Sequence, residues 1–152
     1  MGNNSKNKVQ NMYCEHKNCV ILRIENEKLK GGGRMSFTIE DMMLTAENRY
    51  AMKFLAGQNG WANSISWVHL LEDTTIIQNF WGKELAVTTG LGFPDKEDWM
   101  QLAMQLNRHH ASGLIINVGQ YIHEVPEELK MYCDENDLPL LTVPWEVHLS
   151  DM

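Results

Sequence analysis

The segment Thr88-Thr89-Gly90-Leu91-Gly92 places two hydroxyls beside two glycines. A hydroxyl both donates and accepts hydrogen bonds, and glycine lets a ligand come close to the main chain. A helix start follows soon after, and its free N–H groups favour negative or carbonyl oxygen. The combination suits carboxylate, carbonyl or amide groups on a small ligand. It reads equally as a tight turn whose threonines satisfy neighbouring backbone groups. It is not a phosphate loop, because neither G-x-x-x-x-G-K-[ST] nor G-x-G-x-x-G occurs. Glu72, Asn117, Gly119 and Trp145 join Thr88, Thr89 and Gly90 as candidate ligand-binding residues, since each falls at the end of an apolar run. Trp145, directly after Pro144, is either a stacking face for a flat ligand or a residue at the rim of the core, and the core reading is preferred.

Other reactive side chains have simpler readings. Cys14, His16 and Cys19 resemble half a zinc site, but only three ligands are in sight, so no metal is assigned. Cys133 falls on the apolar stripe of a helix and reads as inert core. His69 shares a strand face with Trp67 and reads as structural. His109 and His110 fall at a helix C-terminus, where a cationic ring is favourable. Glu127-Glu128 and Asp134-Glu135 read as solvated helix faces. No Ser/His/Asp or Cys/His spacing points to a nucleophile, so no catalytic residue and no cofactor is assigned, and an enzyme is the weakest of the possible classes.

These residues need elements to hold them. Thr38 caps a helix, with Asp41 at its third position and Phe37 able to staple onto Met42. Lys53–Gly57 is a short strand or turn entry, and Gln58-Asn59-Gly60 is a loop. Ser64–Leu71 reads as a strand. Asp73 or Thr74 caps a short helix carrying Ile76, Ile77 and Phe80, ended by Gly82. Glu84–Thr89 is an apolar strand. Asp95 caps a long helix with Trp99, Leu102, Ala103 and Leu106 on one stripe, His109 and His110 in its last turn and Gly113 after it. Leu114–Val118 is a buried strand. Pro126 opens a further helix, with Val125, Leu129, Tyr132 and Cys133 on its apolar side. Pro139–Val143 is the last strand, and a helix could begin at Glu146. Short, wholly apolar strands alternating with helices predict an α/β fold: a mostly parallel sheet with helices on both faces, in a single domain. Such sheets bind ligands at the carboxyl ends of their strands, which is where the candidate residues fall.

The chain has 152 residues, 43% hydrophobic and 22% charged, with a net charge of −7. Residues 1–34 hold seven of the 13 Lys/Arg but three of the 20 Asp/Glu, which makes them +4 and leaves −11 for residues 35–152. A domain so acidic repels a phosphate backbone, so direct binding of nucleic acid is not expected. No apolar run approaches the roughly 20 residues of a membrane span, and there is no secretory signal, so the expected location is the cytoplasm. Residues 1–34 are expected to form a disordered leader, although Val20–Lys30 reads equally as a frayed helix or a strand. Gly31-Gly32-Gly33 before Arg34-Met35 has two readings. One is a flexible native leader; the other is a translated ribosome-binding site, with Met35 as the biological start.

Four features together resemble the N-terminal domain of the PucR-like family, the purine catabolism regulators. They are Ser66-Trp67-Val68-His69 with Leu71-Glu72-Asp73; Gly82 to Gly90, including Glu84-Leu85-Ala86-Val87-Thr88-Thr89; Gly113-Leu114-Ile115-Ile116 with Gly119, Tyr121 and Val125-Pro126; and Leu138-Pro139-Leu140 with Pro144-Trp145-Glu146-Val147. The resemblance runs from about Thr38 to Met152. It implies a bacterial transcriptional regulator that carries this domain first and a helix-turn-helix at its C-terminus, which this chain does not include. It further implies that residues 35–152 sense a small metabolite, with purine breakdown products such as uric acid or allantoin as the expected ligands, and that the domain forms a homodimer. The alternative is a dimerisation module that transmits a signal and holds no ligand.

Overall fold

The structure is a computed structural model that describes residues 8–13, 20–25, 36–148 and 152. Seven strands form one sheet: β1 (Lys8–Tyr13), β2 (Val20–Glu25), β3 (Lys53–Ala56), β4 (Trp67–Leu70), β5 (Glu84–Thr88), β6 (Gly113–Val118) and β7 (Leu140–Pro144). Their spatial order is β1-β2-β4-β5-β6-β7-β3. The pairs β4–β5, β5–β6 and β6–β7 are parallel, and β3 closes one edge antiparallel to β7. The fold is therefore α/β, and its core from β3 to β7 is mostly parallel. On the other edge β2 runs antiparallel to β4, and β1 antiparallel to β2. Both strands fall in the stretch for which a disordered leader is expected, and of the two readings of Val20–Lys30 the structure has strand over Val20–Glu25. The rest of the leader, including the Cys14, His16 and Cys19 pattern and the three glycines, lies outside the described residues.

Among the described residues three α-helices cover the sheet: α1 (Ile39–Tyr50), α2 (Lys96–Arg108) and α3 (Glu127–Glu135). Side chains alternate across a strand, so β5 sends Ala86 to one face and Leu85 and Val87 to the other. Leu85 and Val87 pack with Ile39, Met43 and Ala46 of α1. Ala86 packs with Leu102, Ala103 and Leu106 of α2 and with Leu129 and Cys133 of α3. Trp99 and Leu106 are buried, as the stripe on α2 predicts.

Helix ends follow local chemistry. Asp41 N–H donates to Thr38 Oγ1 at 3.2 Å and Thr38 N–H donates to Asp41 Oδ2 at 2.9 Å, a reciprocal cap. Asp95 N–H likewise donates to the Asp98 carboxylate at 3.1 Å. Asp73 accepts from Thr75 N–H at 2.8 Å and starts a 3₁₀ turn over Thr75–Asn79, where a short helix is expected. The expected loop at Gln58 is a second 3₁₀ turn, Gln58–Ala62. Pro126 caps α3 instead of occupying its first position. The turn after Pro144 closes with Val147 N–H on Pro144 O, and no helix begins at Glu146 among the described residues.

The end of α2 differs from expectation. The helix stops at Arg108, and His110, not a glycine, takes the left-handed position at φ 57°. Asp137 does the same after α3, at φ 54°. A side chain in this region costs about 1–2 kcal/mol, which is why glycine is usual there.

Candidate functional site

The carboxyl ends of β4, β5, β6 and β7 lie side by side, because the three pairings between them are parallel. Glu72 follows β4, Thr88 ends β5, Asn117 falls near the end of β6 and Trp145 follows β7. The order of strands thus brings every candidate residue to one edge of the sheet. They form two groups there.

The first group is built around Glu72. Its Oε1 accepts from Thr89 N–H and Thr89 Oγ1, each at 2.7 Å. Its Oε2 accepts from Thr88 Oγ1 at 3.1 Å and from Gly92 N–H at 3.3 Å. The hydroxyls in turn accept from the backbone, Thr88 from Gly90 N–H at 3.1 Å and Thr89 from Leu91 N–H at 3.4 Å. A charged acceptor with several donors is a strong local clasp. The turn that looks suited to a ligand's carboxylate therefore already holds one, supplied by the loop just after β4. Gly92 is required by this arrangement: a Cβ there would lie 1.5 Å from the Glu72 carbonyl oxygen. Thr88 is fully buried, whereas Glu72 and Thr89 are half-buried and reach solvent.

The second group surrounds Trp145. Asn117, 2% exposed, donates from Nδ2 to Pro144 O at 3.3 Å and Val147 O at 3.2 Å. It is a positioning residue that ties the Pro144–Val147 turn to β6. Gly119, at φ 144°, brings its backbone against the Trp145 side chain; a Cβ there would sit 2.6 Å from the Trp145 Cβ. Trp145 is 37% exposed and meets Tyr121, itself 48% exposed, edge to face at 5.7 Å. The tryptophan lies outside the core because β7 ends at Pro144 and the following turn carries it past the sheet edge.

The two groups share a border. Gly90 packs against Ile122, and Ile122 O accepts from Gly119 N–H at 2.8 Å, so the Gly119–Ile122 loop lies between the threonine turn and the aromatic pair. The reading from sequence missed Tyr121 as a member of this rim. Its signal was a tyrosine two residues after Gly119 in a polar stretch, where no core position is due.

The remaining reactive groups have structural places. His69 stacks on Phe80 at 4.8 Å, and burial lowers its pKa below the ordinary 6.5. Cys133 is fully buried; desolvation first, and the neighbouring Asp134 charge second, push its thiol up to about 12. Among the described residues no three His, Cys, Asp or Glu side chains converge as a metal site, and no helix is long and apolar enough to cross a membrane.

Residues 42–152 match the family model of the purine catabolism regulatory protein-like family. Over 99 residues, 64% of this chain, the sequence is 24% identical to the purine catabolism regulatory protein of Bacillus subtilis (strain 168). That stretch spans 19% of the relative's length.

Proposed function

The chain belongs to the purine catabolism regulatory protein-like family, and from this we propose that it is the ligand-sensing regulatory domain of a bacterial transcriptional regulator. Its role is regulatory and not enzymatic, and its place is the cytoplasm. The ligand is a small metabolite, of which a purine breakdown product is the first candidate. DNA contact belongs to another part of the full regulator, since residues 35–152 carry −11.

The observation that carries the reading is the exposed Tyr121–Trp145 pair beside the threonine turn. A flat ring rich in carbonyls and N–H groups stacks on such a pair. Its polar edge then faces the threonine turn, where Glu72 and Thr89 are half-buried and bonded to each other, so binding exchanges some of those bonds for bonds to the ligand. Titration calorimetry with uric acid and allantoin tests this. Wild type should give saturable heat, and Trp145→Ala should weaken binding about tenfold or more while circular dichroism stays unchanged. Equal affinities in both proteins would move the ligand elsewhere.

A second reading, a dimerisation module without ligand, rests on Trp81, which is 94% exposed. Exposed tryptophans of this kind often anchor protein interfaces. Sedimentation of wild type and Trp81→Ala separates the two readings. A dimer lost in the variant, together with no heat from either purine catabolite, would favour dimerisation alone.

A further inference from the structure

Asn59-Gly60 is the chain's one Asn-Gly pair, and it lies in the 3₁₀ turn Gln58–Ala62 that follows β3. The turn is packed onto the connection between α3 and β7. A Cβ on Gly57 would lie 2.1 Å from Leu138 O, and a Cβ on Gly60 would lie 2.4 Å from Asp137 O and 2.5 Å from Pro139 Cδ. No larger residue fits at either position, so the fold itself demands glycine after Asn59. Gly57 N–H donates to Asp134 Oδ1 at 2.6 Å, which ties the start of the turn to α3. Asn59 is exposed, and its Nδ2 donates to Asp137 Oδ1 at 2.9 Å.

Asparagine is a thermally labile residue, and a following glycine makes it more so. The amide nitrogen of the next residue can close a five-membered ring on the side-chain carbonyl carbon, and glycine has no side chain to obstruct the closure. Two ties oppose that closure here. Gly60 N–H donates to Gly57 O at 2.9 Å, which holds the proton that the attacking nitrogen must lose. The Asn59 amide is held on Asp137. Attack therefore proceeds from a turn in which both bonds have opened. The bond to Asp137 is exposed to solvent, where water replaces a lost partner at little cost, so local opening is accessible without global unfolding.

We propose that Asn59 is a self-modification site, whose reaction is gated by this turn and, once complete, prevents the turn from re-forming. The Gly60 nitrogen bonds to Asn59 Cγ, the Cγ–Nδ2 bond breaks, and Nδ2 leaves as ammonia with the proton lost by Gly60. Water then opens the cyclic imide, giving OH to one carbonyl carbon and H to the nitrogen. Opening at one carbonyl leaves an ordinary aspartate. Opening at the other leaves a β-linked aspartate, in which the main chain runs through Cβ and gains one carbon between Gly57 and Gly60. Both products replace an N–H donor by a carboxylate that faces the carboxylate of Asp137. The lengthened chain of the β-linked product also cannot keep both glycines seated against Leu138 O and Asp137 O, where there is no space for even a Cβ. The reaction consumes only water and loosens the join between β3 and the α3–β7 connection. It does not depend on the ring-binding reading.

The full chain is aged at mildly alkaline pH, in native buffer and in denaturant, and the fraction converted at Asn59 is read by peptide mass spectrometry. Conversion should be about tenfold or more slower in the native protein, since it waits on the open turn. Asp137→Gly removes the acceptor and suits the backbone at φ 54°. It should raise the native rate about threefold or more and leave the rate in denaturant unchanged. The modified protein carries one more negative charge and is separated by ion exchange. It should melt at a lower temperature than the unmodified protein and lose hydrogen-exchange protection at Gly60. Equal rates in native buffer and denaturant, or no conversion in denaturant, would overturn the proposal. So would an unchanged native rate in Asp137→Gly, or a modified protein that melts with the unmodified one.

Discussion

Single side chains here are governed by what surrounds them more than by their type. Cys133 is a thiol on the inner face of α3, and with its pKa pushed up to about 12 it has almost no thiolate at neutral pH. Its peptide should stay unmodified by iodoacetamide in the native protein and react fully in denaturant, as read by mass spectrometry. Native labelling at Cys133 would mean that α3 opens readily. His69 is the pH-sensitive counterpart. Its folded pKa is lowered, so as pH falls below 6.5 the unfolded chain takes up a proton that the folded chain refuses. Stability should therefore fall as pH drops from about 7 to about 5, and His69→Phe, which keeps a ring on Phe80, should flatten that slope. An unchanged slope would place the sensitivity in another group. Glu72 was legible in sequence as a candidate but not in role. Its position after an apolar strand marked it, whereas its partners lie 16 to 20 residues ahead and meet it only through the β4–β5 pairing.

At the level of elements, legibility tracks how local the cause is. The cap of α1 lies within four residues, and the apolar run from Leu114 to Val118 is self-evident, so both were readable from sequence. The pairing of β3 with β7 spans almost ninety positions and left no local mark. The expectation that His109 and His110 lie in the last turn of α2 failed because the helix ends at Arg108 and His110 takes the left-handed position that glycine usually marks. Strands β1 and β2 were obscured by their Asn- and Lys-rich surroundings. Where the stripe on α2 was clear, the energetic consequence is clear too. Leu106 has no exposed surface and packs among α2, α3 and the sheet. Leu106→Ala should cost about 2–5 kcal/mol in urea unfolding. A loss below about half a kcal/mol would mean that the surrounding side chains collapse into the space.

For the whole molecule, the two edges of the sheet divide the chemistry. The carboxyl ends of the strands carry the Tyr121–Trp145 pair, of which only Trp145 is a candidate from sequence, and the amino ends carry an open polar depression lined by Lys83, His110 and Asp137, which the same rule directs attention away from. The reading from sequence does not join Lys83, His110 and Asp137, because they are separated by 27 residues each and meet only through the parallel pairing of β5, β6 and β7.

The antiparallel closure of β3 on β7 also sets an order in time. A ribosome releases Lys53–Ala56 long before Leu140–Pro144, so the first strand of the core has no neighbour until the last one emerges. Until then α1 has only part of the surface it finally covers, because Leu141 and Val143 come from that same last strand. The nascent domain thus stays incomplete through most of its synthesis and closes late, in one step. A chain released at Leu138 should show no protease-resistant fragment, whereas one released at His148 should; a resistant core in the shorter chain would mean that β4, β5 and β6 hold together without their final partner.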